Sequence, residues 1–595
     1  MIKILRHFKK KAIIFCIIAI ILVMAAAYFD ATQPTFLQDA LSGLSKIYRI
    51  NQKDGDWKQY GWSDYWFPIL KMALYAISSL ICGVVGAILG STASLYAQMD
   101  VRNAMFGKIQ SFGFSEIDKF STASLVTRTS TDTTIYQQNL QMILTIAFRT
   151  PITIGISIYN AFTPPMGKPI YGVIVICVVA FMITLGCAIG VPVLKTFSKA
   201  QVQLDNTNKV MRENILGARV VKAFNLQDLQ HNHYDKASKE LKRLNIKGQA
   251  ALIPIMSIFQ FALSCGVIII LMVGGYTFIK SDNHPPINAG IFAFAQLIAI
   301  VLFGTIMLVM VIVQTTRAVA SIHRINDVLN TKTTLIEDKN PQSLVDKDNS
   351  VVFENVKFKY NKDANKYALE DVSFAIGTGQ TLGIVGGTGS GKSTIANLIA
   401  RFYDVDEGAI LIGGINVRHA SFNDVFNKVS VVLQDALLFS GTIASNLKYG
   451  NANATIEDME FATKSSCAFD FINQYPEKFE KQVEQRGRNF SGGQKQRISL
   501  ARTLIKKPKI LILDDTTSAL DLLTEKQVRL NLAANYQDCT KIIISQRISA
   551  VKDADKIIVM DNGKVSGIGT HEELVANNDI YRLIVDSQLG AQEVE

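Results

Sequence analysis

Six apolar windows, all before residue 330, constrain this chain more than any other feature. They cover residues 12–29, 67–95, 147–162, 170–193, 250–278 and 289–313. A helix needs about 20 residues to cross the hydrocarbon core of a bilayer. Hydrophobic residues make up 49% of the 595 residues and charged residues only 19%, which is too apolar for an ordinary soluble protein. The sequence therefore predicts an α-helical transmembrane domain with six spans over residues 1–329.

Basic residues around these windows predict the orientation in the membrane. The segment before the first window carries Lys3, Arg6 and Lys9 to Lys11, and basic residues favour the cytoplasmic side. A cleaved signal peptide is the alternative for this window, although such signals have a core of only ~7–15 residues. With six spans, the N-terminus and everything after residue 330 are expected in the cytoplasm of a multi-pass cell-membrane protein.

Charge and cysteine content argue against two other classes of protein. The net charge of +11 is concentrated beside the apolar windows, where positive residues are expected anyway, so it does not indicate nucleic-acid binding. The seven cysteines are scattered and have neither disulfide nor CxxC metal spacing. The segment 33–66 holds all three tryptophans, Trp57, Trp62 and Trp66, and is predicted to be a long connection on the outside.

The second half of the chain has the pattern of an α/β domain. Residues 330–349 are polar and non-periodic, as linkers are. Strand-like runs follow at 351–360, 381–385, 429–433, 510–513 and 541–545, with a helical insert at about 435–504. Strands that alternate with helices favour a largely parallel sheet. The predicted domains are thus 1–329, the linker 330–349, and an α/β domain over 350–595.

A glycine-rich loop after one of these strands predicts a phosphate site. It fits GxxxxGKS, in which backbone N–H groups wrap phosphate oxygens, the lysine binds the outer phosphates and the serine hydroxyl can bind magnesium. The loop and the first residue after it are Gly386, Gly387, Thr388, Gly389, Ser390, Gly391, Lys392, Ser393 and Thr394. Asp514 closes the apolar run 510–513, where a carboxylate beside such a loop would hold Mg²⁺. ATP and Mg²⁺ are the expected cofactors.

A second glycine motif identifies a family resemblance that covers essentially all of residues 350–595. The motif consists of Ser491, Gly492, Gly493 and Gln494. With the phosphate loop and Asp514, it makes the chain resemble the ATP-binding cassette superfamily. That resemblance implies that the motif reaches across a head-to-tail dimer to the γ-phosphate held by the other cassette, and a helix N-terminus with paired glycines suits an anion.

The resemblance assigns further roles. It implies that Tyr360 stacks on adenine, that Gln434 senses magnesium and that Asp521 lies in a loop crossing the dimer interface. Six spans before one cassette look like an exporter-type half-transporter. Arg149, at the edge of the third window, is expected only to reach the membrane surface, without a substrate role.

Two positions depart from the family pattern. Asp515 stands where a glutamate normally polarises the attacking water, and Gln546 stands where a histidine normally contacts the γ-phosphate. Aspartate is one methylene shorter, and a misplaced general base typically loses ~10²–10⁴-fold in rate. Glutamine cannot become a cation, and none of the seven histidines lies between His419 and His571. The chain's own site is therefore predicted to bind ATP and to hydrolyse it slowly.

The motif Ser491–Gln494, called the signature motif, is intact, whereas Asp515 and Gln546 weaken the chain's own site. This asymmetry predicts that the partner is not a second copy of the same chain. We expect a heterodimer with a non-identical half-transporter that carries the glutamate and the histidine, as the resemblance to bacterial multidrug-type exporters also implies. An importer built on the exporter scaffold and an ATP-gated regulatory or channel module are the alternatives. Several aromatic and methionine residues of the fifth and sixth windows could line a pocket for small amphipathic substrates, or could equally pack helices or face lipid: Phe259, Phe261, Phe292, Phe294, Met307 and Met310.

Overall fold

The chain divides into two compact units in a computed structural model. The structure describes residue 4 and residues 6–54, 63–163, 169–279, 290–345, 347–362, 364–516 and 519–589. The side chains of 45–54, 63–64, 290–291, 317 and 589, and part of those in 169–198 and 251–279, lie outside this description. The first unit, called the helical unit, comprises Met1–Gln110 and Thr122–Thr331. The second, called the α/β unit, comprises Ser111–Ser121 and Lys332–Glu595.

Long helices dominate residues before 331. In chain order they are α1 (Lys10–Asp54), α2 (Ser63–Gln110), α3 (Phe114–Phe120), α4 (Thr122–Thr127), α5 (Thr133–Met142), α6 (Arg149–Phe162), α7 (Pro169–Leu216), α8 (Ala218–Ala223), α9 (Gln227–Ile279) and α10 (Gly290–Asn330). Two π-helical turns, Arg128–Asp132 and Ile143–Ala147, join α4, α5 and α6 into one rod. Several of these helices extend well beyond a bilayer's thickness, because 48 residues of α2 span about 72 Å.

Four helical segments among the described residues are long and apolar enough to cross a membrane. They are Lys10–Leu44, Tyr65–Gln110, Thr122–Phe162 and Phe292–Asn330. The predicted fourth and fifth spans fall on α7 and α9, many of whose side chains lie outside the described residues. A count of six spans therefore remains a prediction. Trp57 and Trp62 also lie outside the described residues, whereas Trp66 is exposed near the start of α2.

Three sheets form the framework of the α/β unit in its described part. The strands are β1 (Val351–Phe358), β2 (Leu369–Ile376), β3 (Thr381–Gly386), β4 (Glu407–Ile412), β5 (Ile415–Asn416), β6 (Val429–Val432), β7 (Gly441–Thr442), β8 (Gln482–Val483), β9 (Ile510–Asp514), β10 (Thr540–Ile544), β11 (Lys556–Asp561) and β12 (Lys564–Gly569). The six-stranded sheet has the order β12-β11-β3-β10-β9-β6 and is parallel except for β12. An antiparallel sheet has the order β2-β1-β4-β5, and β7 pairs with β8.

The parallel strands read as continuous apolar runs because both faces of the sheet are covered. On β9, Ile510 and Ile512 join one core cluster, which also holds Ile384 and Ile395. Leu511 and Leu513, which point to the other face, join a second cluster built on the helical insert. This alternation follows from the two-residue period of a strand. The sequence runs found β1, β3, β6, β9 and β10 to within a few residues but missed β2, β4, β11 and β12.

Ten helices complete the α/β unit as described. They are α11 (Lys392–Ile399), α12 (Phe422–Lys428), α13 (Ile443–Lys448), α14 (Ile456–Ser465), α15 (Phe469–Asn473), α16 (Gly492–Leu504), α17 (Leu522–Asn535), α18 (Ile548–Val551), α19 (His571–Asn577) and α20 (Asp579–Leu589). Residues after α10 pack onto the unit, since Leu344 is 1% exposed and the buried Arg401 donates to the Ile336 carbonyl at 3.2 Å.

Helix α3 is separate in sequence from the rest of its unit and is held there by specific contacts. The Phe114 ring stacks on the Phe402 ring with centroids 4.5 Å apart, and the Tyr403 hydroxyl donates to Asp118 Oδ2 at 2.8 Å. Glu116 Oε1 accepts from the Thr334 backbone N–H at 2.9 Å. A helix from between the second and third predicted spans thus becomes part of the α/β unit.

Candidate functional site

The carboxyl ends of the parallel strands converge on one open cavity of about 1230 Å³. Strand β3 lies between β10 and β11, and β9 lies between β10 and β6, so the residues after these strands meet at the same edge of the sheet. The predicted residues that line the cavity are Tyr360, Thr388, Gly389, Ser390, Gly391, Lys392, Ser393, Thr394, Gln434, Asp514, Asp515 and Gln546.

The loop between β3 and α11 requires its glycines. Gly386 has φ 150° and Gly391 has φ 99°, values that residues with side chains rarely adopt. A Cβ at Gly386 would lie 2.2 Å from the Met560 carbonyl oxygen, and one at Gly391 would lie 2.7 Å from the Ala368 carbonyl oxygen. The loop is therefore locked in a shape that presents its backbone to the cavity, as a phosphate cradle needs.

Lys392 places its ammonium group beneath this loop. Its Nζ donates to the carbonyl oxygens of Gly386 at 2.8 Å and Gly387 at 2.6 Å, and the residue is 8% exposed. Burial lowers the pKa of Lys392, and the carboxylates of Asp514 and Asp515 oppose that shift. A buried cation in a phosphate-sized concavity is suited to bind the outer phosphates of a nucleotide.

Ser393 and Asp514 meet although 121 residues separate them. The Ser393 hydroxyl donates to Asp514 Oδ1 at 2.9 Å, and Asp514 is 6% exposed at the end of β9. Burial raises the pKa of Asp514, and the Ser393 hydrogen bond acts against that shift. One hydroxyl and one carboxylate facing a phosphate cradle fit Mg²⁺, which keeps several waters and uses few protein ligands. These oxygens therefore fit the metal that the sequence predicts.

Asp515 follows in a constrained conformation. Its φ is 47°, in the left-handed region, and its backbone N–H donates to the Ile544 carbonyl at 2.9 Å. The Gln434 amide Nε2 lies 3.4 Å from Asp515 Oδ2. The short side chain is thus tied at its backbone to β10 and at its carboxylate to Gln434, on the cavity wall.

Gln546 lies at the same edge, after β10. Gln546 is exposed and lines the cavity, and its backbone carbonyl accepts a hydrogen bond from Gln588 Nε2 at 2.7 Å. The loop is further fixed by the Ser545 hydroxyl, which accepts from the Arg547 backbone N–H at 3.0 Å. The structure therefore brings Asp515 and Gln546 to the rim where the sequence predicts the hydrolytic groups.

Tyr360 stands at the other side of the cavity mouth. Its side chain is 48% exposed, and its hydroxyl donates to Thr394 Oγ1 at 3.1 Å and accepts from Asn397 Nδ2 at 3.2 Å. Sequence reasoning missed several other lining residues on the loop before β2 and on the β11–β12 turn, including Lys366, Tyr367, Asp561 and Asn562. They carry no motif, and only the sheet order brings them here.

The structure does not bring the signature residues Ser491–Gln494 into this cavity. Ser491 caps α16: its hydroxyl accepts from the Gln494 backbone N–H at 3.3 Å, and Gln494 Oε1 accepts from the Ser491 N–H at 2.9 Å. Asp521 is also outside the cavity lining, where it caps α17 by accepting from the Thr524 N–H at 2.9 Å. That hydrogen bond lowers the pKa of Asp521. Ser518, in the same predicted loop, lies outside the described residues.

Comparison with known proteins places the whole architecture. The profile of the family described as "ABC transporter" matches residues 369–518, and that of "ABC transporter transmembrane region" matches residues 16–306. The ABC transporter ATP-binding protein MG014 of Mycoplasma genitalium is 30% identical over 616 aligned positions, covering 98% of both chains. The chain belongs to the ABC transporter family.

Two further comparisons refine this membership. The structure of a bacterial Atm1-family ABC exporter with ATP bound has a TM-score of 0.78 and 24% identity, over 97% of this chain and 98% of that one. YgaD of Bacillus subtilis, named for multidrug export, is 44% identical over 232 residues, which is 39% of this chain and 40% of that protein. This ABC transporter is a multi-pass membrane protein of exporter-type fold, with a helical transmembrane domain followed by an α/β cassette, and its transport is coupled to ATP hydrolysis.

Proposed function

We propose that this ABC transporter is the nucleotide-holding half of a heterodimeric exporter of amphipathic or hydrophobic compounds. The observation that carries the proposal is the division of the cassette: Asp515 and Gln546 line the chain's own cavity, whereas Ser491–Gln494 do not. The chain's own site has a complete phosphate cradle, but Asp515 and Gln546 are weak replacements for the hydrolytic glutamate and histidine. The intact signature turn is left to serve a second cassette.

The residues of the own site favour binding over turnover. Lys392 and the loop backbone hold the phosphates, Ser393, Gln434 and Asp514 would hold Mg²⁺, and Tyr360 would contact the base. Bound magnesium would neutralise phosphate charge. Asp515 is a short carboxylate with its amide fixed to Ile544, so it stands back from the attacking water and loses ~10²–10⁴-fold in rate relative to a placed base.

In the proposed cycle, ATP closes two cassettes and closure turns the spans outward. Hydrolysis at the companion's phosphate loop, completed by Ser491 and Gly493 of this chain, resets them, while the slow site acts as a clamp. The companion carries the catalytic glutamate and the histidine, and both cassettes lie on the cytoplasmic side of the cell membrane. The name of YgaD supports a multidrug-type substrate range.

Two substitutions in this chain alone test the asymmetry. At Gly492 an added Cβ meets nothing nearer than Ala519 Cβ at 3.7 Å, so Gly492→Ala leaves the fold intact but adds a methyl to the exposed turn. In the complex purified with its companion, we expect Gly492→Ala to reduce ATPase activity about 100-fold, the cost of losing one transition-state contact. Lys392→Ala, which disables the own cradle, should reduce it less than tenfold.

Other outcomes would contradict the proposal. Equal losses from the two variants would indicate two equivalent sites, as in a homodimer. Brisk ATP hydrolysis and solute movement by the chain purified without a companion would also exclude it. Asp515→Glu should raise turnover only several-fold, because Gln546 still lacks a cationic form.

A further inference from the structure

A second cavity, of about 570 Å³, lies inside the helical unit among α1, α6 and α10. Its size falls in the ~300–1,000 Å³ range of sites for small organic molecules. One part of its wall is polar, with Asp30 and Arg149, and another is apolar, with Phe303 and Met307. The cavity therefore has the two-sided lining that an amphiphile requires.

The polar part joins the ends of two apolar windows, because Asp30 directly follows the window 12–29 and Arg149 lies near the start of the window 147–162. The Ser79 hydroxyl donates to Asp30, and Ser79 lies near the middle of the apolar window 67–95. Phe303 lies near the middle of the window 289–313 on the facing helix. An ionisable pair that faces a cavity between apolar helices is rare, and such pairs typically mark ligand or ion pathways.

Arg149 forms an ion pair with Asp30, a contact that the sequence did not predict. Both Asp30 carboxylate oxygens accept hydrogen bonds, one from Arg149 Nη2 and the other from Ser79 Oγ. The Arg149 side chain is 44% exposed against 26% for Asp30. Because a guanidinium has five N–H donors in a fixed fork, the exposed part of Arg149 can hold a further anionic or acceptor group.

Gln296 supplies the opposite polarity on the same wall. Its side-chain Oε1 is buried and accepts no hydrogen bond from any residue that the structure describes. A buried acceptor without a donor is destabilising, and a ligand N–H or O–H would remove that cost. The cavity thus offers a donor at Arg149 beside an apolar surface, and Gln296 supplies an acceptor there once its amide turns from its buried position towards the cavity.

We propose that this cavity binds an anionic amphiphile that also carries an N–H or O–H donor, such as an N-acyl amino acid. Its anionic group binds Arg149, its donor binds Gln296 Oε1, and its chain packs on Phe303 and Met307. The proposal deepens the proposed function by naming a substrate class for the exporter. Asp30 acts as a positioning residue, because it orients the Arg149 guanidinium.

The test measures direct binding of tritiated N-decanoylglycine to the full chain in nanodiscs of neutral lipid. The chain is purified with its companion where one copurifies, and binding to empty nanodiscs is subtracted. We expect Arg149→Gln to weaken binding about tenfold or more, the effect of losing a charge-assisted hydrogen bond. The same variant should change binding of the uncharged methyl ester less than twofold. Decanoate, which lacks the N–H, should be insensitive to Gln296→Leu, whereas N-decanoylglycine should lose several-fold. Competition by decyl phosphate distinguishes a phosphate head group from a carboxylate.

A matched pair on α10 guards against simple misfolding of the charge variant. Phe303 lines the cavity and Phe292 does not, and both rings are about 60% exposed, at 58% and 60%. Phe303→Ala should weaken binding of both the acid and its ester, and Phe292→Ala should affect neither. If Arg149→Gln lowers only the melting temperature, or if Phe303→Ala leaves binding unchanged, the cavity is not the site.

The binding assay needs neither ATP nor transport, so the two proposals fail separately. Binding with the expected dependence on Arg149 and Phe303, but without ATP-driven movement of the probe, would overturn export and retain the site. ATP-driven movement of N-decanoylglycine that is unchanged in Arg149→Gln and Phe303→Ala would retain export and overturn the site.

Discussion

The two glycine-rich turns of the cassette make an instructive pair, because each precedes a helix and only one forms a site in its own chain. The turn before α11 has glycines at φ 150°, 79° and 99° and encloses the buried Lys392. At the start of α16, neither Gly492 nor Gly493 has a positive φ. Ser491 and Gln494 cap each other there. The first is a concave cradle, while the second is an exposed and capped helix start.

This difference teaches that a helix N-terminus becomes a phosphate site only when the chain before it folds around the ligand. Around the first turn, β11 and the loop before β2 close the walls at Met560 and Ala368. Around the second, Ser491 and Gly492 are exposed, and a Cβ built at Gly492 would meet only Ala519 Cβ, at 3.7 Å. The predictions below aim to break or sharpen this contrast.

The largest expected effect is on nucleotide binding by the first turn. Lys392→Ala removes the buried cation of the cradle, and we expect ATP affinity of the chain purified alone to fall about 100-fold, or about 2.7 kcal/mol. Gly492→Ala should leave that affinity unchanged. Isothermal titration with a slowly hydrolysed ATP analogue measures both, with Lys526→Ala as a control for loss of an exposed lysine. A comparable loss from Gly492→Ala would show that the second turn contributes to the chain's own site.

A smaller effect is expected at Asp514, in two measurable forms. Asp514→Asn should weaken binding of the magnesium complex about tenfold, because a charged metal ligand becomes neutral, and should hardly affect binding in EDTA. Equal losses with and without magnesium would contradict a metal-binding role.

Asp514 also predicts a pH dependence of stability in the nucleotide-free chain. Because burial raises the pKa of Asp514, the folded chain binds this proton more tightly than the unfolded chain does. The contribution of Asp514 to the free energy of unfolding therefore falls as pH rises from the ordinary aspartate pKa through the raised pKa. Asp514→Asn should melt at a higher temperature than the wild type at about pH 7.5, with the difference shrinking towards acid pH. A difference that grows on acidification would show the opposite sign.

The smallest effect concerns the cap of the second turn. Ser491→Ala removes the hydroxyl that accepts from the Gln494 N–H, which should cost about 1 kcal/mol of stability, measured by denaturant unfolding. Thr570→Ala, which removes the equivalent cap of α19, is the matched control and should cost a similar amount. Neither should change ATP affinity of the chain alone. A change in affinity only for Ser491→Ala would place this turn at the chain's own nucleotide.

Much of the site could be predicted from the sequence because its chemistry is local. Residues 388–393 of the predicted loop, Gln434, Asp514 and Gln546 all line the cavity that the structure shows, and Gly386 and Gly387 precede them in the same loop. The resemblance assigned Asp521 and Ser491–Gln494 to a dimer interface, which stays a prediction. In the single chain they lie outside this cavity, and Asp521, Ser491 and Gln494 form helix caps. The sequence did not predict the ion pair of Arg149 with Asp30, because the two residues are 119 positions apart.

The sequence by itself determined the class of machine: long apolar windows require a membrane, and a glycine loop with Lys392 and Ser393 requires phosphate. Those features depend on a few neighbouring residues, whose backbone and charge act at short range. Only the tertiary structure decided which distant groups meet, such as Asp514 with Ser393, Asp30 with Arg149, and α3 with the α/β unit. Sheet order and helix packing set those meetings, and they depend on the burial of apolar side chains along the whole chain, which no single motif records.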